Sequence, residues 1–121
     1  MSKRIFGKEL TETDVGKRLA IPISSLKSLP GFEGKHFLDL KVKYKSMEEP
    51  LEFRCSIRKK GIHPKPVFDK GWLEFVHCND IKVGNWVCFL QEGGHGDTAK
   101  FKIEVKRKIV LLGQVIWAHV P

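Results

Sequence analysis

The sequence lacks a long hydrophobic segment, and this absence limits where the chain is expected to reside. Its apolar runs are short, such as the four residues 109–112, whereas a transmembrane helix needs about 20 apolar residues. The charged N-terminal residues are not followed by the apolar stretch of a signal peptide. We therefore expect a soluble, intracellular protein with no membrane partner.

Cysteine is also scarce. The chain has only Cys55, Cys78 and Cys88, which cannot all pair with one another. We predict three unpaired, core-type thiols in a reducing compartment. No C-x-x-C spacing occurs, and His77 beside Cys78 is a weak metal candidate, so we expect no metal site and no cofactor.

Recognisable catalytic motifs are missing. There is no G-x-S-x-G, no H-E-x-x-H and no paired-carboxylate motif in the sequence. The glycines of segment 93–96 lack the G-K-[ST] of a phosphate-binding loop, and they lie between two strand patterns, as in a hairpin turn. We predict that the chain is not an enzyme.

Helix signals are few, whereas strand patterns fill the chain. Helices are predicted only at 24–29 and in a short segment that begins at Trp72. Strands are predicted at 5–6, 19–21, 38–44, 51–57, 86–90, 101–105 and 114–120. Short strands at fairly even spacing predict a mainly β fold, a closed or nearly closed barrel, with residues 1–121 as one domain.

Three tryptophans lie inside these apolar patterns. Trp72, Trp86 and Trp117 are predicted to be core residues rather than platforms for stacking bases. This prediction argues against a protein that binds single-stranded nucleic acid, which needs exposed aromatic residues beside a basic groove.

Positive charge is abundant. Lysine and arginine number 22 against 14 acidic residues, for a net charge of +8. Such a charge either only keeps a protein soluble or attracts a polyanion such as nucleic acid. The basic cluster at 106–108 is best explained as a strand end kept soluble by its charge; the alternatives are a phosphate contact and a weak nuclear import signal.

Two polar segments, 8–18 and 58–66, interrupt the strand patterns. Segment 58–66 has four Lys and Arg residues, no acid, and the glycine and prolines of a shaped loop. It is either a solvated basic turn or a contact to nucleic acid, in which arginine holds guanine and lysine neutralises phosphate. In segment 8–18 acids offset the cations, and Asp14 is a candidate cap, so an ordinary capped loop is the alternative there.

An ordered set of motifs runs through the chain. It comprises F-G-K-E-L-T at 6–11, T-D-V-G at 13–16, R-L-A-I-P at 18–22, L-P at 29–30, F-R at 53–54, K-G-W with F-V at 70–76, and V-G at 83–84 followed by Val87 and Phe89. Together they resemble the plant B-three DNA-binding domain over about residues 4–107. Residues 108–121 are then a C-terminal extension strand.

The resemblance implies an open, seven-stranded pseudobarrel with two short helices. It also implies the DNA-binding module of a plant nuclear transcription factor, which places two loops, or arms, in the major groove of double-stranded DNA. The arms correspond to segments 8–18 and 58–66. The expected DNA contacts are Lys8, Thr13, Lys17 and Arg18 from the first arm and Arg58, Lys59, Lys60, His63 and Lys65 from the second.

Within this set, roles follow from side-chain chemistry. Arg58 leaves a strand with a defined direction and carries a planar fork, so it is predicted to read bases. The lysines are predicted to contact phosphates, which position a protein without specifying sequence. The resemblance also implies that a full-length transcription factor of this family can have further domains or protein partners.

The sequence departs from the family pattern at several positions. Asn85 follows Gly84 where the family usually has aspartate, and Ile23 follows I-P where lysine is common. The second arm lacks the aromatic and amide residues of some subfamilies. The alternative function is therefore a protein-interaction module on the same barrel, with weak or non-specific DNA binding.

Overall fold

The computed structural model describes residues 3–58, 64–93 and 100–119. These residues form one eight-stranded sheet with three short helical segments. The strands are β1 (Lys3–Glu9), β2 (Leu19–Ala20), β3 (Phe37–Tyr44), β4 (Leu51–Ser56), β5 (Val67–Phe68), β6 (Trp86–Gly93), β7 (Lys100–Leu111) and β8 (Gln114–His119). The helical segments are α1 (Glu12–Gly16), a 3₁₀ helix (Ile23–Ser28) and α2 (Trp72–Cys78).

Seven strands follow one path through the sheet, in the order β1-β6-β7-β3-β4-β5-β2, and β8 pairs with β7 outside this path. All pairs are antiparallel except β3 with β7. The predicted hairpin of β3 and β4 is confirmed. Among the described residues the terminal strands β1 and β2 do not pair with each other, so the barrel is open. The predicted mainly β pseudobarrel is thus confirmed.

The core fills the inner face of this curled sheet. Alternate residues of most strands point inward, and four phenylalanines meet there with ring centroids 5.1–6.3 Å apart. They are Phe6, Phe53, Phe68 and Phe89. Trp72 at the start of α2 is fully buried and lies 5.9 Å from the Phe53 ring. The predicted core role of Trp72 is therefore confirmed.

The other two tryptophans lie on the outer face. Trp86 is partly buried where Gly7 leaves room for its indole. Trp117 packs against Trp86 with ring centroids 6.0 Å apart, but it remains 40% exposed. The prediction that Trp86 and Trp117 are core residues is wrong. Trp86 lies on the face of β6 opposite the buried Val87 and Phe89, and β8 lies beyond the strands that enclose the core.

The helices differ from the prediction in two ways. The segment predicted as a helix at 24–29 is a 3₁₀ helix, which ends before Pro30 as the backbone restriction before proline requires. Helix α1 forms inside segment 8–18, where the sequence predicted a loop. Neither α-helix exceeds seven residues, and the described part of the chain has no helix that could cross a membrane.

All three cysteines are unpaired, as predicted, but their surroundings differ. Cys55 is fully buried, and burial raises the pKa of its thiol to about 12. Cys88 is half-buried, and Cys78 is exposed at the end of α2, so the prediction that Cys78 is a core residue is wrong. Within 3–58, 64–93 and 100–119 no cluster of histidine, cysteine and carboxylate residues is arranged to hold a metal.

Candidate nucleic-acid interface

An open cleft of about 730 Å³ lies between the two polar segments. We call it the arm cleft. Its lining residues come from both segments and from the strands beside them: Thr13, Lys17, Arg18, Ala20, Ile21, Ile23, Ser56, Ile57, Arg58, Lys65, Pro66, Val67 and Asp69. The cleft therefore joins residues that are far apart in the chain, such as Thr13 and Asp69.

Strand pairing explains why the two arms meet. Ala20 at the end of the first arm pairs with Val67, and Val67 pairs with Ser56 on its other side. The Ile21 amide also donates to the Pro66 carbonyl at 3.0 Å. The exit of the first arm and both ends of the second are thus adjacent strands of one sheet.

The first arm is held by a buried carboxylate, Asp14, which is only 1% exposed. It accepts hydrogen bonds from the backbone amides of Thr11 at 2.9 Å and Ala20 at 3.1 Å, and it pairs with the Lys8 ammonium at 2.9 Å. Its own carbonyl accepts a hydrogen bond from the Trp72 indole at 2.6 Å. One residue therefore connects β1, α1, β2 and α2.

Local sequence explains this position of Asp14. Thr11 is the N-cap of α1, and its hydroxyl accepts a hydrogen bond from the Asp14 amide while the Asp14 carboxylate accepts one from the Thr11 amide. This is a capping box, with aspartate in place of the usual glutamate. Asp14 was expected to cap a turn; it does so from the third helical position and also anchors the arm.

Hydrogen bonding outweighs burial in setting the acidity of Asp14. Burial acts to raise the pKa of the carboxyl, but the bonds from Thr11, Lys8 and Ala20 hold that pKa below its ordinary value. The group is therefore ionised at neutral pH and neutralises Lys8.

This pairing changes the charge of the first arm. The Lys8 ammonium bonds to the Asp14 carboxylate and, at 3.2 Å, to the Ala20 carbonyl. Lys8 does not line the arm cleft, whereas Thr13, Lys17 and Arg18 are exposed and do. Among the residues that the structure describes, Lys17 and Arg18 of this arm have no ion-pair partner.

The second arm is closed at its base. The Arg58 amide donates to the Pro64 carbonyl at 2.6 Å, so the chain leaves and re-enters the barrel at neighbouring points. Pro66 is fully buried, and Lys65 before it has a positive φ of 42°. Arg58 and Lys65 are both exposed on the arm cleft.

The structure thus brings together five of the nine predicted contact residues: Thr13, Lys17, Arg18, Arg58 and Lys65. It places Lys8 apart, in the ion pair with Asp14. The predictions for Lys59, Lys60 and His63 lie outside the described residues.

Sequence reasoning missed several residues of the cleft, among them Ile23, Ser56 and Asp69. Ile23 is 52% exposed at the start of the 3₁₀ helix. Ser56 donates to the exposed carboxylate of Asp69 at 2.8 Å. The sequence did offer a reason to consider Ile23, because it stands where the resembled family commonly has lysine. It offered no such reason for Ser56 and Asp69, because their proximity depends on the pairing of β4 with the residues around β5.

Comparisons with family models and with curated proteins each found no match. Solved structures do match. The Arabidopsis FUS3–DNA complex superposes with a TM-score of 0.67 at 17% identity, covering 84% of this chain and 96% of that one. The Arabidopsis thaliana transcription factor LEC2, also solved as a DNA complex, gives a TM-score of 0.69 at 18% identity, with 85% and 94% covered.

A hypothetical protein of Arabidopsis thaliana matches with a TM-score of 0.56 at 18% identity, covering 87% of this chain and 90% of that one. The fold is therefore that of the plant B-three DNA-binding domain, as the sequence motifs implied. At these identities the likeness shows the fold alone, and function rests on the chain's own residues.

Proposed function

We propose that this chain binds double-stranded DNA through its two arms, as the DNA-binding module of a plant transcriptional regulator that acts in the nucleus. The observation that carries the proposal is the arm cleft, in which four exposed cations from both arms converge: Lys17, Arg18, Arg58 and Lys65. Two solved proteins with this fold, FUS3 and LEC2, are in complexes with DNA. Residues 1–121 act as one such module.

The composition of the cleft matches a duplex better than a small molecule. Phosphates flank the major groove on both sides, and cations on two separate arms reach two backbones at once. The apolar Ile23 suits a thymine methyl group, and the Asp69 carboxylate is an acceptor for the amino group of cytosine. These residues join Arg58 as base-reading candidates.

The first consequence of the proposal is that the affinity for DNA depends steeply on salt concentration. With Lys59 and Lys60 added to Lys17, Arg18 and Lys65, about five phosphate contacts imply a slope of log K against log salt of roughly −4.5. Fluorescence polarisation with a labelled random duplex, repeated over a series of salt concentrations, measures this slope. A flat response would exclude electrostatic binding.

The second consequence concerns Arg58, whose fork distinguishes base reading from phosphate contact. Arg58→Ala is expected to lower affinity for the preferred duplex by about 10- to 100-fold, since one bidentate contact to guanine contributes about 1–3 kcal/mol of discrimination. Arg58→Lys keeps the charge but loses the fork, so it is expected to keep non-specific affinity and lose sequence preference.

Selection of bound duplexes from a random library, followed by titration of the selected and random duplexes, measures both quantities. Arg107→Ala, an exposed arginine on β7 outside the cleft, is the matched control and is expected to leave the preference unchanged. Equal weakening of all duplexes by Arg58→Ala would show that Arg58 contacts only phosphate. A folded chain that binds no duplex at low salt would instead favour the protein-interaction module.

A further inference from the structure

The end of β7 and the whole of β8 form a hairpin with an unusual surface. Seven large apolar side chains of this hairpin are 40–97% exposed: Ile109, Val110, Leu111, Leu112, Val115, Ile116 and Trp117. We call it the C-terminal hairpin. Monomeric proteins rarely expose apolar patches larger than a few hundred Å² unless the patch binds something.

Both faces of the hairpin share this character. Ile109 pairs with Ile116, and Val110 pairs with Val115. Because side chains alternate along a strand, the first pair lies on the face that continues the barrel interior and the second on the outer face. Burying one face against the barrel would therefore still leave the other exposed.

The edge of the hairpin is unprotected as well. Within the described residues β8 pairs with β7 alone, so one side of its backbone is free. Edge strands normally carry charges or proline that oppose pairing with another strand. β1, which ends the sheet, follows this rule with four charged residues in seven, whereas residues 114–119 of β8 contain no lysine, arginine, carboxylate or proline.

We propose that the C-terminal hairpin binds a second copy of this chain by antiparallel pairing of the two β8 edges, with the two-fold axis at Ile116. In this register Ile116 faces Ile116 of the second copy, Val115 faces Trp117, and Gln114 faces Ala118. Every pair is uncharged, and an isologous interface requires this self-complementarity.

Charge argues for a second copy over a partner selected by its acidic residues. The cations nearest the hairpin, Lys106, Arg107 and Lys108, are on β7 and are separated from the new edge by β8. In the dimer the two β7 strands are three strand spacings apart, about 14 Å, which exceeds the screening length of about 8 Å at physiological salt. Repulsion between the copies is therefore small, and an acidic partner would find no cation on the edge itself.

Topology keeps this interface away from the second arm. The hairpin leaves the barrel at the end where β3 finishes and β4 begins, because β7 runs parallel to β3. Arg58 follows the opposite end of β4, about 20 Å away along a six-residue strand. The dimer thus leaves the second arm free, and its test needs no DNA.

Sedimentation equilibrium of the 121-residue chain tests the dimer. The edge of β8 is only six residues long and is expected to bury less than the about 800 Å² per partner of a standard interface, so a weak dimer with a micromolar dissociation constant is expected. Ile116→Lys places two ammonium groups at the two-fold axis and is expected to raise the dissociation constant at least about 100-fold. Val83→Lys, at an equally exposed valine outside the hairpin, is expected to leave it unchanged.

A second variant tests the register independently of folding effects. Ile116→Cys in a Cys78→Ser background is expected to form a disulfide-linked dimer on mild oxidation, because directly opposed residues of antiparallel strands are within disulfide range. Val83→Cys in the same background is expected to stay monomeric. A wild-type chain that remains monomeric up to about 1 mM, a dimer that persists in Ile116→Lys, or an Ile116→Cys chain that does not cross-link would each overturn the proposal.

Discussion

Asp14→Ala is expected to lower the free energy of unfolding by about 3–5 kcal/mol, the usual cost of removing one member of a buried ion pair. The substitution leaves the amides of Thr11 and Ala20 without their acceptor, at about 1–3 kcal/mol each when a donor stays buried. Lys8 adds less to this cost, since its side chain is 24% exposed and reaches water. Urea denaturation followed by tryptophan fluorescence measures the change.

Asp39→Ala provides the matched control. Asp39 also pairs with a cation, Arg54, at 2.8 Å, but the pair is exposed on the outer face of the sheet. Exposed pairs contribute no more than about 1 kcal/mol, so this variant is expected to unfold close to wild type. Equal losses in the two variants would show that the buried position of Asp14 has no special importance.

The Asp14 carboxylate also makes the stability of the fold depend on pH. Because the pKa of Asp14 is lower in the folded chain than its ordinary value, its stabilisation is complete above the ordinary pKa of a carboxyl, about 4. It is lost as the pH falls through the lower, folded pKa. Asp14→Asn is therefore expected to flatten the acid limb of the stability curve, which urea denaturation of both proteins at acid and neutral pH measures.

Gly71→Ala is expected to lower the free energy of unfolding by about 4 kcal/mol or more. Losses of this size are exceptional for a single substitution and need a specific structural cause. Gly71 precedes α2 with φ of 89°, a conformation that side chains rarely adopt. A β-carbon there would also overlap the backbone carbonyl of Glu52 on β4. Moving the backbone of a central strand would break its hydrogen bonds to both neighbouring strands, so α2 and the Trp72 indole would instead be displaced from the core.

Variants of two other glycines separate the cost of the positive φ from the cost of the overlap with Glu52. Gly84 has φ of 91° but open space around it. Gly84→Ala should therefore lower the free energy of unfolding only by the cost of placing a side chain at positive φ, about 1–2 kcal/mol. Gly16 has open space and ends α1, and Gly16→Ala should be neutral or slightly stabilising. Thermal unfolding of the three variants tests this ranking, and a Gly71→Ala loss no larger than that of Gly84→Ala would show that the contact with Glu52 does not matter.

The proposed site shows how far sequence reasoning reaches. Segments 8–18 and 58–66 were recognised because they are polar where the surrounding pattern is apolar, and that contrast is local information. Their convergence at the arm cleft was implied only by the family resemblance, since it depends on pairing between β2, β5 and β4. The role of Lys8 illustrates the limit: its type suggested a DNA contact, but its contact with the buried Asp14 is a tertiary feature.

The sequence by itself determined the mainly β architecture, the inward-facing residues of most strands and the positions of the two polar segments, because strand periodicity and turn residues act over short distances. Only the tertiary structure decided which cations remain free, because ion pairing depends on contacts between distant segments. It also decided that Trp117 is exposed. Periodicity shows that β8 is apolar, but the core ends where β6 stops pairing with β7 at Lys106, and β8 lies beyond that point.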